Sequence, residues 1–107
     1  MTRIVRLDRE AEDEIAEAME RYEAARPGLG LEFLAVVGAA MATLVSPGPE
    51  CGPVPGLPPR LGVRRKLLRR FPYSVVFVVL EHATRVIAVA HGARSPGYWR
   101  LRLRSRS

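Results

Sequence analysis

Hydrophobic and polar positions divide the chain into a first half with helical period and a second half with strand period. Ile4, Val5 and Leu7 form a short apolar stretch ahead of Asp8, the length of a strand of about four residues. From Asp8 the spacing changes. Ala11, Ile15, Ala18, Met19 and Tyr22 recur at three and four, while Glu10, Glu12, Asp13, Glu14, Glu17, Glu20 and Glu23 take mostly the opposite face. Acids crowded into the first turns suit the positive end of a helix dipole. Arg26-Pro27-Gly28 breaks this helix, because proline lacks a donor and disfavours helical geometry in the residue before it. Leu31, Leu34, Val37, Met41, Leu44 and Val45 then give a second apolar stripe, so two helices of similar length, joined by a Pro-Gly turn, are predicted as an antiparallel hairpin.

Residues 46–59, SPGPECGPVPGLPP, hold 6 of the 9 prolines and are predicted as a stiff surface loop, with Cys51 a bystander in it. Beyond the loop, Val63–Phe71, Tyr73–Leu80 and Val86–Ala90 read as strands, with Glu81–Arg85 turning between the last two. The Tyr73–Leu80 run is nearly all apolar and belongs at the centre of a sheet, covered on both faces. The order β-α-α-β-β-β therefore predicts an α+β fold: a single domain over 1–107, with a helix hairpin packed on one face of a small, mostly antiparallel sheet.

Charge sharpens the division. Residues 1–59 carry 5 basic and 10 acidic side chains, a balance of −5, and residues 60–107 carry 12 basic and 1 acidic, a balance of +11. Only Lys66 among the 17 basic residues is lysine. Arginine offers a planar fork that pairs two oxygens and stacks on flat rings, which suits phosphate, carboxylate or nucleobase partners; an arginine-rich genome filling solvated positions gives the same composition. One cysteine and two histidines, His82 and His91, leave no structural disulfide or zinc cluster to build, so neither metal nor cofactor is expected. With no apolar run of about 20 residues, no membrane span is expected, and the reading is a cytoplasmic protein.

The order of elements and several local motifs resemble the ParE/RelE family of type II toxin–antitoxin toxins, also known as plasmid stabilisation proteins, over almost the whole chain. The resemblance is carried by Pro27-Gly28-Leu29-Gly30-Leu31-Glu32-Phe33 between the helices, by Arg64-Arg65-Lys66-Leu67-Leu68-Arg69-Arg70-Phe71-Pro72-Tyr73-Ser74-Val75-Val76-Phe77 in the central hairpin, and by the segment from Val86 to Trp99, with its His91-x-x-Arg94-x-Pro96-x-Tyr98-Trp99 ending. It implies a toxin that arrests growth and is neutralised by a small acidic antitoxin in a hetero-oligomer. One branch of the family cuts messenger RNA on the ribosome, and the other poisons DNA gyrase. The RNA-cutting branch places an arginine directly after the aromatic that opens the central strand and another just past the last strand; Ser74 and Gly92 stand at those positions here, so the resemblance leans toward the ParE branch. Arg65 and Tyr98 do match basic and aromatic positions of the nuclease pattern, and a shifted alignment sets Arg94 in place of Gly92. A third reading is an inactive or purely structural partner.

The candidate catalytic residues of an endoribonuclease are Arg65, His91, Arg94 and Tyr98, since metal-free RNA cleavage needs proton transfer and neutralisation of phosphorane charge. The candidate partner-binding residues are Arg64, Arg65, Lys66, Arg69, Arg70, His91, Arg94, Tyr98 and Trp99. Each has a plainer alternative. His91 also serves by hydrogen-bonding the tail into place. In a strand, Arg64, Lys66 and Arg70 fall on one side and Arg65 and Arg69 on the other, where they equally keep a sheet edge soluble. Trp99 anchors the tail to the core or stacks on a partner, and Arg100, Arg102, Arg104 and Arg106 form a basic tail over 100–107, read as disordered at its end. The acidic face of the first helix is a solvated surface, or meets a basic patch in a second copy.

Overall fold

The computed structural model describes residues 3–95 and 97–104, so Pro96 of the closing motif and Arg106 of the basic tail lie outside the described residues. The predicted order is found: β1 (Ile4–Leu7), α1 (Arg9–Ala25), α2 (Leu29–Thr43), β2 (Val63–Leu67), β3 (Tyr73–Val79) and β4 (Ala83–His91). The four strands form one mixed sheet in the order β1-β4-β3-β2, with β1 parallel to β4 and the other pairs antiparallel. The apolar strand β3 takes an inner position beside β4, as its composition predicts.

The helix hairpin turns where the sequence indicates, and two side-chain facts explain how. Gly28 sits at φ 90°, a left-handed conformation that favours glycine, and the Glu23 carboxylate at the end of α1 accepts the Gly28 and Gly30 amides at 2.9 and 3.0 Å. These are amides that the start of α2 leaves without intrahelical partners. A Cβ at Gly30 would lie 2.8 Å from the Met19 carbonyl, so the two helices cross there only because the residue has no side chain.

Alternation along the strands builds two cores. Tyr73, Val75 and Phe77 of β3 face the helices with Phe33, Val37, Leu44, Leu68 and Phe71, and Tyr22, Phe33, Phe71 and Tyr73 pack as a cluster of rings with centroids 4.9–6.3 Å apart. Val76 faces the other way, with Val63, Ile87, Ala88 and Trp99. A β-bulge lets β4 serve both: Val76 pairs with Ala88 and Phe77 with Val86, so Ile87 is the extra residue and the facing pattern restarts after it.

Three expectations are corrected. β2 ends at Leu67, not Phe71, because Leu68 and Phe71 both drop into the helix-side core and the chain between them turns through Arg70 at φ 70°. β4 begins at Ala83 rather than Val86; pairing with β1 recruits Thr84 and Arg85, which the polarity of the segment had assigned to a turn. The buried Thr84 hydroxyl donates to the Leu44 carbonyl at 2.7 Å, and Arg85 grips Asp8. The proline segment is not only surface: Cys51 and Val54 are buried, and Pro53 bridges to Arg64 at the sheet edge. Burial raises the Cys51 thiol pKa above its ordinary value.

Candidate functional site

The helix-free face of the sheet is closed by irregular chain: the proline loop from one side and the segment after β4 from the other, with Val54, Leu57, Trp99 and Leu103 packed onto Val76 and Ile87. Between these covers lies a cleft of about 170 Å³. Arg65 of β2, Ser74 of β3, His91 at the end of β4, and Gly92, Arg94, Tyr98 and Trp99 beyond it all line the cleft, and none of its lining residues is acidic. The fold thus brings together Arg65, His91, Arg94, Tyr98 and Trp99 from the sequence-derived set.

Register and turn geometry place His91. It pairs with Tyr73 across the sheet, their rings meeting edge-on at 5.0 Å, and its Nδ1 accepts the Ala93 amide at 2.9 Å, so a neutral His91 ring carries its proton on Nε2. The same turn is tied to the β2–β3 connection by the Gly92 amide, which donates to the Pro72 carbonyl at 2.7 Å. Trp99 is 3% exposed and anchors the tail; stacking on a partner is closed to it in this arrangement. The end of the tail, where disorder was expected, lies outside the described residues; the tail up to there forms a 3-10 turn over Arg100–Arg104.

Glu14 is what holds it there. The Tyr98 hydroxyl donates to Glu14 Oε2 at 2.5 Å, Arg102 donates to both oxygens at 3.0 and 3.1 Å, and the Val89 amide donates to Oε1 at 2.9 Å. Arg102 also reaches the Ile87 carbonyl at 3.1 Å. The backbone ladder from β1 stops where the Asp8 amide meets the Val86 carbonyl, so the Glu14–Arg102 pair satisfies the next exposed groups of β4 in place of a strand. The Arg94 guanidinium lies 3.9 Å from the centroid of the Tyr98 ring, a cation–π contact that holds it at the cleft. Burial, and then the bond to Glu14, push the Tyr98 pKa upward. Nearby, Arg85 makes a two-pronged pair with Asp8, the closest contact 2.7 Å, and donates to the Arg102 carbonyl at 2.8 Å.

Sequence reasoning assigned Glu14 to the solvated acidic face and did not pair Asp8 with Arg85. A signal for Glu14 existed: it stands three residues after Ala11 and four before Ala18, inside the apolar stripe rather than opposite it.

The rest of the basic run lies elsewhere. Arg64 faces Phe77 on the helix side and donates to the Cys51 and Gly48 carbonyls at 2.9 and 2.8 Å, which fastens the proline loop. Lys66 pairs with Glu50 at 3.3 Å, and Arg70 with Glu32 at 2.7 Å. Hydrogen bonding from Arg70 holds the Glu32 carboxyl below its usual pKa. Arg69 does not share the side of Arg65: with β2 ended at Leu67 it joins Lys66 and Arg70 on the rim of a groove of about 540 Å³, floored by Ala35, Val36, Ala39 and Ala40 of α2 with Leu67 and Leu68. Leu67 is 63% exposed there. Among the described residues no group of three or more His, Cys, Asp or Glu side chains is placed to hold a metal, and no helix is long and apolar enough to cross a membrane.

A helix hairpin on a four-stranded mixed sheet with this element order defines an α+β, ParE-like fold. Among solved structures, a chain described as "Chromosomal ParDE TA system from P. aeruginosa" superposes with a TM-score of 0.70 at 19% identity, covering 84% of this chain and 96% of that one. At that identity the likeness is one of fold. No family model matches the chain, and no curated protein does so by sequence.

Proposed function

We propose that this chain is the toxin of a type II toxin–antitoxin module, active in the cytoplasm, and that it acts as a gyrase poison rather than as a ribonuclease. The observation that carries the choice of mechanism is the state of the cleft. Tyr98, the tyrosine candidate for proton transfer, gives its hydroxyl to Glu14 and holds its proton more tightly than a free tyrosine. The two positions at which the RNA-cutting branch has arginine carry Ser74 and Gly92, both lining the cleft. Arg65 and Arg94 can bind an anion there and His91 can exchange a proton, but with serine and glycine at the two arginine positions fewer groups are left to neutralise the charge that develops on a phosphorane. The fold shared with a chain of a ParDE system supports the toxin reading.

The α2 groove is the surface for the antitoxin. A floor of small apolar side chains, with Arg69 on a rim where Lys66 and Arg70 are already paired with Glu50 and Glu32, fits an amphipathic segment that folds as it binds and brings an acidic side chain to Arg69. Purified protein is expected to inhibit supercoiling by gyrase and to accumulate linear DNA, and an acidic antitoxin segment is expected to reverse both. Normal supercoiling at saturating protein, together with cuts at codon positions in translated messages, would replace this reading with the ribonuclease one.

A further inference from the structure

The arginines differ in what already occupies them. Arg64, Arg70, Arg85 and Arg102 are engaged by carbonyls or carboxylates of the chain itself. Arg60 on the proline loop, Arg65 and Arg94 at the cleft, and Arg100 and Arg104 on the tail have no carboxylate partner among the described residues, and all but Arg65 are exposed. These five belong to the two chain segments and the strand that close the helix-free face. Carboxylates are nearly absent from those segments: after Glu50, which Lys66 engages, the one acidic side chain is Glu81, at the far hairpin between β3 and β4.

We propose that this face binds the phosphodiester backbone of duplex DNA directly, with Arg65 and Arg94 gripping phosphate at the cleft and Arg60, Arg100 and Arg104 neutralising the strand on either side. Duplex DNA is chosen because the inference deepens the gyrase reading and rests on it for the source of the backbone. The chemistry separates this face from the α2 groove. An acidic peptide needs apolar burial as well as charge, and the groove offers it in about 540 Å³, whereas the cleft is about 170 Å³ and is lined by Arg65 and Arg94 with no acidic residue, Glu14 and Glu17 lying in the adjoining hollow. Polyanion binding needs no apolar floor, only fixed positive groups at phosphate spacing that release counterions. Arginine, with a fork that matches two phosphate oxygens, is the residue for it. Arg94 is also ordered in advance, because the Tyr98 ring carries it and Glu14 holds Tyr98.

The test is fluorescence anisotropy of a short labelled duplex with the purified full chain, without gyrase, over a series of salt concentrations. Wild type is expected to bind with a steep salt dependence. R94S/R100S/R104S is expected to bind at least about tenfold more weakly and to flatten the log–log salt slope by roughly 3, about one unit for each phosphate no longer neutralised. R9S/R26S removes two charges from the helix hairpin, away from this face, and is expected to stay within about twofold of wild type. A loss per charge in the hairpin variant equal to that in the tail triple variant would mean that net charge alone drives binding and would overturn the assignment, as would absence of binding at low salt. Tighter binding of single-stranded RNA than of the duplex would overturn the choice of DNA. If the tail triple variant fails to fold by circular dichroism, R100S alone, at an exposed side chain, carries the same expectation for a single phosphate. Gyrase left unaffected by a chain that binds DNA through this face would remove the gyrase reading and leave the surface standing; gyrase poisoned equally well by the tail triple variant would do the reverse.

Discussion

The two faces of the sheet are closed by different materials. On one side two helices present Phe33, Val37 and Leu44 to Val75 and Phe77, and a cluster of aromatic rings fills the space. On the other, a proline-rich loop and a 3-10 tail lay Val54, Leu57, Trp99 and Leu103 on Val76 and Ile87. Helices satisfy their own backbone and need only an apolar stripe to seat them. Irregular chain does not, so the second cover is tied down by side chains: Arg64 holds the loop, and Glu14, Arg85 and Arg102 hold the tail. The first face supplies stability. The second, held by polar clasps, leaves room for a cleft.

That contrast can be tested, beginning with the largest effect. Phe33→Ala, at a fully buried ring, is expected to lower unfolding free energy by about 3–5 kcal/mol and to destabilise the whole domain in one transition on urea titration. If it merely loosened the tail, the division of labour would be wrong. Asp8→Asn leaves the guanidinium of Arg85 without its charge partner where both side chains are nearly buried, and about 3 kcal/mol should be lost in the same assay. Glu14→Gln should cost less, about 1–3 kcal/mol, and its signature should be local: trypsin cleaves after Arg100 and Arg104 while α1 and the strands stay protected. Whole-domain digestion would make Glu14 a part of the core instead of a clasp. The smallest effect concerns pH. Because the folded state raises the Tyr98 pKa, the protonated phenol's contribution is intact below about pH 10, where an unfolded tyrosine titrates, and declines as pH climbs beyond it. Tyr98→Phe should reduce the alkaline slope in melts compared with wild type, leaving the part that the raised pKa of Tyr22 contributes.

The helix-side half of the molecule was legible in the sequence because regular periods report regular elements. The stripe from Ala11 to Tyr22, the Pro27-Gly28 break and the apolar run from Tyr73 each appear where they were expected. The other half was readable only in part. Arg65, His91, Arg94 and Tyr98 do meet at one cleft, since the end of β4 and the register with β3 and β2 bring them there. What supports them was hidden for a physical reason: Glu14 lies 75 positions from the Val89 amide and 88 from Arg102, and no local pattern encodes a contact across such a distance. The same applies to Asp8 and Arg85, separated by 77 positions, and the polar Thr84-Arg85 pair at the start of β4 looked like a turn. The basic run misled in the opposite sense. Its residues are adjacent in sequence, yet the end of β2 at Leu67 sends Arg65 to the cleft and Arg69 to the groove.

The carboxylate and guanidinium that occupy the overhang of β4 also bear on how the protein behaves in a crowd. A strand projecting past its shorter neighbour offers bare amides and carbonyls to any extended chain that drifts by, and is a common starting point for aggregation. Here Glu14 and Arg102 stand over the Val89 amide and the Ile87 carbonyl, so a passing chain must first displace an ion pair. A chain without that guard would be expected to precipitate during overproduction before any loss of fold was measurable.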